Sequence, residues 1–491
     1  MQEANHSSTK KSKNLVPAET KKLTVIPLIF ITAALFMTLR NMPAMAETGM
    51  HMIVFNIITV FAFLIPIALV SAELATGWPQ NGVYRWVEAA FGNKAGFLAV
   101  WLQWIQSIFG ITSILAYVGG SLAYVFAPDL GNNRFFITAT IISIYWLATW
   151  MNFKGTKQSG LISSVALVLG VLLPSILLIL GSLVYVLMGN EIQFDTTLST
   201  SNLVPSLDNT SNLLFFLSFV FGFVGIEVSA SHAKEVENPQ RNFPIALFSA
   251  AIIGFVITLL GGLSVAALIP VEQINPVNGA TQAFSILLNH YHLTWLVPVM
   301  AFLIAMGAAG QVSTWIVGPI KGLWAAGVDG NLPRYFQKTN TKDVPVRLLI
   351  VQACFISVIG LSFLLVKNVN TMFLILTSIA IILYSMMYIM MFIAAIKLHY
   401  TQPNVPRAYK VPGGNLGMWL VCGTGGLSTV ACLFIGFIPP TPNPMGTLNF
   451  ELMIGSLCLI SIAGAFIILN RRKKTWLAPQ HSAATTTQNG E

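Results

Sequence analysis

Long apolar stretches separated by short polar ones run the length of the chain, and the stretches have the length a bilayer demands. They fall near residues 23–46, 52–76, 97–126, 135–152, 160–188, 213–231, 244–269, 294–318, 348–366, 372–397, 416–438 and 450–469. Crossing hydrocarbon takes roughly 20 apolar residues per helix. No water is present there to satisfy backbone N–H and C=O, so each stretch is predicted to be α-helical. The expected fold is an all-α integral membrane protein of about twelve spans. It divides into an N-terminal tail (1–22), spans 1–5 (23–188), spans 6–10 (213–398), spans 11–12 (416–469) and a C-terminal tail (470–491).

Composition agrees: 55% of residues are hydrophobic and 9% charged, against about 25% charged in a soluble domain. The net charge of +9 is not spread evenly. Basic groups precede span 1 (Lys10, Lys11, Lys13, Lys21, Lys22) and then occupy every second loop: Arg85 and Lys94; Lys154 and Lys157; Lys234 and Arg241; Lys321 to Arg347; Lys397, Arg407 and Lys410; Arg471 to Lys474. The other loops carry acids, among them Asp129, Glu191, Asp195, Asp208, Glu272 and Glu451, with Arg134 and Lys367 as the exceptions to the alternation. By the positive-inside rule both termini are expected in the cytoplasm, which places the chain in a cell's inner (plasma) membrane. The positive charge therefore reports topology, with anionic lipid as its partner, and does not point to nucleic acid. The first residues lack the apolar core of a cleavable signal. Cys354, Cys422, Cys432 and Cys458 stand singly in apolar stretches, so neither a disulfide framework nor a metal or other cofactor site is expected.

Two spans carry features that an uninterrupted lipid-facing helix would not. Span 1 reads Phe36-Met37-Thr38-Leu39-Arg40-Asn41-Met42-Pro43, and span 6 reads Phe221-Gly222-Phe223-Val224-Gly225-Ile226-Glu227. A charge in hydrocarbon costs at least about 2.5–3.5 kcal/mol, so Arg40 and Glu227 must face a cavity, a partner or a ligand. Span 1 and span 6 enter from opposite sides, which makes spans 1–5 and 6–10 an inverted repeat. Broken helices at matching places in such repeats present backbone dipoles to a substrate near the midplane, and a zwitterionic amino acid suits that pair of opposite partial charges. Two other readings stand beside this one. Gly222 and Gly225 could instead permit close helix packing, and Arg40 and Glu227 could instead neutralise each other as an ion pair.

Several motifs are familiar. Ser71-Ala72-Glu73-Leu74-Ala75-Thr76-Gly77-Trp78-Pro79 with Asn81-Gly82-Val83-Tyr84-Arg85-Trp86, Glu237-Asn238-Pro239-Gln240-Arg241-Asn242-Phe243-Pro244, and Arg407-Ala408-Tyr409-Lys410-Val411-Pro412-Gly413-Gly414 resemble the amino acid/polyamine/organocation superfamily. Ser229-Ala230-Ser231-His232 and Ser313-Thr314-Trp315-Ile316-Val317-Gly318-Pro319 resemble its bacterial glutamate/GABA antiporter branch. The resemblance implies a five-plus-five inverted-repeat core with two further helices, and alternating access that exchanges amino acids or their derivatives. It also implies that Phe36, Met37 and Thr38 stand where many members have a Gly-Ser-Gly break. Gln311 then replaces a carboxylate of the branch and Arg40 an aromatic residue, a change of charge that favours carboxylate-rich substrates. Tyr384 and Tyr388, one turn apart, are implied to line the pocket. Trp315 reads as gate or packing residue, Glu73 as structural or part of an inner gate, and Trp78, Trp86, Trp295 and Trp476 as interface anchors. Branch members continue into a folded plug after the last span; here a polar tail follows Arg472, so plug-type gating is not expected.

The expected function is secondary transport by exchange across the inner membrane, with an amino acid held between spans 1 and 6. Proton-coupled symport is the nearest rival, because a desolvated Glu227 would carry a proton. An integral-membrane enzyme would need clustered acids, His or Cys at one face, and the acids are scattered. A membrane sensor remains a weaker alternative, and no phosphate-binding loop suggests ATP-driven transport.

Overall fold

The computed structural model describes residues 23–155, 163–205, 210–366, 368–439 and 446–477. The N-terminal tail and the last residues of the polar C-terminal tail lie outside this range. Among the described residues there are ten helices long and apolar enough to cross a membrane, with two shorter apolar helices completing the set. The long ones are span 2 (His51–Gly77), span 3 (Asn93–Phe126), span 4 (Arg134–Asn152), span 5 (Ser163–Leu187), span 7 (Pro239–Leu268), span 8 (Val297–Ala326), span 9 (Val346–Leu361), span 10 (Val369–Thr401), span 11 (Gly414–Ile435) and span 12 (Thr447–Asn470). Span 8 passes the expected end at residue 318, because Pro319 is accommodated inside the helix.

Spans 1 and 6 are the interrupted pair. Span 1 consists of Val25–Phe36 and Met42–Ala46, with residues 37–41 unwound between them. The interruption needs no glycine. Pro43 has no N–H and its ring would collide with the Leu39 carbonyl in a continuous helix, so the chain restarts there, with the Met42 N–H reaching Leu39 O at 3.2 Å. Span 6 consists of Thr210–Phe221 and a tighter 3-10 stretch, Ile226–Glu235, joined through Gly225 at φ +103°. Only glycine adopts that backbone conformation without strain.

Burial sorts the remaining spans. Spans 3, 8 and 10 are sheathed by the rest, with 83%, 61% and 72% of their most apolar windows inside the protein, whereas spans 11 and 12 lie at the periphery with 28% and 22%. The interior of the molecule is thus spans 1, 3, 6, 8 and 10. Small residues permit the closest crossings: a Cβ on Gly170 of span 5 would stand 2.4 Å from the backbone of Gly307 on span 8.

Two short amphipathic helices were not expected from the sequence. Val83–Phe91 follows span 2, and Gly279–His290 follows span 7, so each comes after the second span of its repeat and on opposite faces of the molecule. Trp86, expected as an interface anchor, is instead fully buried in the first of them and donates Nε1–H to Trp78 O at 3.1 Å.

The face on which span 1 begins carries most of the basic loops and is here called the basic face. Three ties hold it together. Leu23 and Val236 form an isolated parallel bridge, with Glu237 N–H donating to Leu23 O at 2.8 Å. Glu73, at the end of span 2, is 2% exposed and pairs with Arg407 at 2.5 Å, while its second oxygen accepts from Val411 N–H at 2.7 Å. Past span 12, Arg472 donates to Gly330 O, Asp329 O and Asn93 Oδ1, so the chain to Leu477 is laid along the basic face.

Candidate functional site

The interrupted part of span 1 and the start of the interruption in span 6 face spans 3 and 8 across a narrow cavity with room for about one water molecule. Of the residues singled out by sequence, Phe36, Thr38, Arg40, Phe221, Gln311 and Trp315 line it. Span 3 adds Gln106, Ser107, Gly110, Ile111 and Ile114, none of which the sequence reading named. The available signal was a polar stripe, Gln103, Gln106 and Ser107, at helical spacing in an apolar stretch.

Arg40 is 1% exposed. Its Nη1 donates to Asn41 Oδ1 at 2.8 Å, and Nη2 donates to Ser113 Oγ and Thr377 Oγ1, each at 2.7 Å. The guanidinium is sandwiched between Phe221 and Phe373, 4.6 and 4.5 Å from the ring centroids. Every partner is neutral, and among the described residues no carboxylate pairs with it. Among the described residues its Nε has no partner. Two more polar atoms on the cavity wall are buried without a partner, Gln106 Nε2 and Gln311 Oε1. The wall thus presents two N–H donors, one of them cationic, and one acceptor. An anionic group beside Arg40 and Gln106 and an ammonium at Gln311 Oε1 would satisfy all three.

Gln311 and Trp315 also have structural work. Both donate to Leu35 O, at 3.1 and 2.7 Å, and so hold the last turn of the helix before the break in span 1 against span 8. Met37 points elsewhere, against Gly254 of span 7. Gly222 faces Met45, where a Cβ would lie 3.0 Å from its methyl group.

The Arg40–Glu227 ion pair, the alternative to a substrate contact, is not formed. Glu227, 1% exposed, lies below the cavity and accepts from Tyr384 Oη, from Tyr388 Oη at 2.7 Å and from Gln103 Nε2 at 3.4 Å. Tyr388 Oη in turn accepts from Gly225 N–H at 3.2 Å. The two tyrosines therefore do not line the cavity: they clamp the interruption of span 6 to span 10. Tyr384 meets Trp315 edge-on at 6.0 Å, closing the floor.

Among the described residues no group of His, Cys, Asp or Glu stands together as a metal site. A small cavity at two interrupted helices, among ten membrane-length helices and two shorter ones in the described residues, is the arrangement expected of a membrane transporter. Residues 23–463 match the amino acid permease family model. The chain is 37% identical over 444 residues to an uncharacterized transporter of Legionella pneumophila, covering 89% of this chain and 95% of that one. It is 34% identical over 426 residues to a glutamate/gamma-aminobutyrate antiporter of Lactococcus lactis, covering 86% and 84%. A probable agmatine/putrescine antiporter of the same species is 26% identical over 399 residues, covering 80% and 81%. The chain belongs to the amino acid permease family.

Proposed function

We propose that the chain exchanges a carboxylate-bearing amino acid for a related amino acid or amine by alternating access, with the basic face in the cytoplasm of a bacterial inner membrane. The observation that carries this reading is Arg40, a buried cation on the cavity wall whose partners are all neutral. Burying a charge without a counter-ion is expensive, and a substrate carboxylate supplies that counter-ion. The arginine fork suits a carboxylate in particular. Gln311 Oε1 then takes the ammonium, and the interruption in span 1 lets the backbone approach the ligand. A neutral glutamine where a carboxylate would attract cations favours glutamate-like over polyamine-like substrates. The similarity to a glutamate/gamma-aminobutyrate antiporter supports the same pair of solutes.

The rival reading, proton-coupled symport, has one observation in its favour: Glu227 is buried among neutral tyrosines, as a proton carrier would be. Counterflow in proteoliposomes separates the two. Uptake of labelled L-glutamate into vesicles loaded with 4-aminobutyrate, without a pH gradient, is expected under exchange. Uptake that requires the gradient and ignores the trans solute overturns exchange in favour of symport.

A further inference from the structure

Directly toward the basic face, three of the four spans that build the cavity, spans 3, 6 and 8, line a second narrow one together with Asn81, Gly82 and Val83. The three spans contribute residues further along their axes. Gln103 replaces Gln106 on span 3, Glu227 replaces Val224 on span 6, and Gly318, Lys321 and Gly322 replace Gln311 and Trp315 on span 8, with Asn81 closing the far side. Three to seven residues at about 1.5 Å each amount to one or two helical turns. The two cavities are therefore stacked along the transport axis. Trp315 and the tyrosine-bound Glu227 stand between them.

Lys321 distinguishes the lower cavity. A lysine near this end of a span is accounted for by charge-directed insertion alone, and the other basic residues of this face are read that way. Lys321, however, sits within span 8, five residues before its end at Ala326. It is partly buried on the cavity wall and makes no hydrogen bond or ion pair among the described residues. It is also flanked by two glycines that bring its helix against its neighbours: a Cβ on Gly318 would stand 2.4 Å from Val228 Cγ1, and one on Gly322 would stand 2.8 Å from Val100 Cγ2. Opposite it is Glu227, whose carboxylate has about four acceptor positions. Tyr384, Tyr388 and Gln103 take three.

We propose that this lower cavity is a transit site for the zwitterionic substrate. A solute that passes Trp315 rests there with its carboxylate on Lys321 Nζ and its ammonium toward Glu227 and Asn81, before release at the basic face. The carboxylate thus exchanges one unpaired cation, Arg40, for another. The proposal rests on the reading of Arg40 as the carboxylate partner in the upper cavity.

The test uses full-length protein in proteoliposomes of defined orientation, with L-glutamate as the probe. Lys321→Met and Lys321→Gln are expected to raise KM about tenfold for L-glutamate presented at the basic face, the loss of one charge-assisted contact. KM at the opposite face, and L-glutamate affinity measured by thermal shift, stay within about twofold of wild type, since the upper cavity is untouched. Lys321→Arg restores the basic-face KM. Having two neutral variants keeps the result readable if one fails to insert. An unchanged basic-face KM in an inserted variant overturns the proposal, as does an equal loss at both faces or a loss that arginine does not restore. Arg40→Ala is measured in parallel. Wild-type binding in that variant sinks the reading of the upper cavity and the transit site with it, whereas lost binding there beside an unchanged Lys321→Met profile sinks the transit site alone.

Discussion

The indole of Trp315 occupies the place where any residue but glycine at position 225 would put its side chain: a Cβ there would lie 2.4 Å from Cζ2. The contact joins span 8 to the interruption of span 6, at the floor of the cavity and just above Glu227.

Gly225→Ala meets two obstacles at once, the indole and a backbone at φ +103°. The conformational term alone costs on the order of 1–2 kcal/mol, and the collision adds to it. Exchange is expected to fall at least about tenfold, with the protein still inserted. Wild-type counterflow in this variant would show that the interruption tolerates rearrangement.

Arg40→Ala leaves Asn41, Ser113 and Thr377 without their shared donor and the substrate without its cation. Truncating one partner of a buried charged contact costs about 2–5 kcal/mol, which is roughly 30- to 3,000-fold in affinity. Arg40→Lys keeps the charge and loses the fork, and it is expected to fall between. L-Glutamate binding by thermal shift reads both.

Gln311→Glu removes the donor to Leu35 O and sets a carboxylate on the same wall as Arg40. Uptake of L-glutamate should drop relative to that of 4-aminobutyrate in the same vesicles, since the added charge opposes a second carboxylate most. An unaltered ratio would place Gln311 in a structural role only.

Arg407→Ala leaves Glu73 buried with the His399 ring, 3.9 Å away, in place of a permanent cation, a loss of about 3–5 kcal/mol for a broken buried pair. The Tm of the purified protein should fall clearly in Arg407→Ala and less in the double variant Glu73→Gln/Arg407→Ala, which removes both charges. Equal losses in the two would mean that packing of Arg407 on Trp78, and not the pair, is what matters.

Glu47 follows the last residue of span 1 on the face opposite the basic one, and burial pushes its carboxyl from 4.5 up to about 8. The native protein then holds a proton there that the unfolded chain has already released. Stability is full below pH 4.5 and declines as pH rises toward 8. Glu47→Gln should flatten that decline in a Tm profile from pH 4.5 to 8; an identical slope would assign it to other groups.

Much of this architecture could be read from residues, because a bilayer restricts the choices severely. Arg40 beside Pro43, and Gly225 beside Glu227, announced two interruptions that the backbone carries. What escaped was whatever depends on which face of a helix turns inward. Gln106 is an ordinary amide in an apolar stretch until the neighbouring spans put it on the cavity wall. Tyr384 and Tyr388 were expected to line the pocket, yet they donate to Glu227, which lies below the cavity. The alternative pairing of Arg40 with Glu227 failed for a related reason: each lies at its own level, Arg40 among neutral hydroxyl, amide and ring partners and Glu227 among two tyrosines and Gln103. The short helices at Val83–Phe91 and Gly279–His290 were lost among polar linkers, since nine or twelve amphipathic residues look like loop when only long apolar runs are sought.

The hydrogen bond from Glu237 to Leu23 fastens the beginning of one interrupted helix to the end of the other. Parting them would strip a peptide donor and acceptor of their partners at the rim of the molecule. The less costly way to uncover that side is for the two to swing together, as a single lever, away from spans 3 and 8, carrying half of the cavity wall with them.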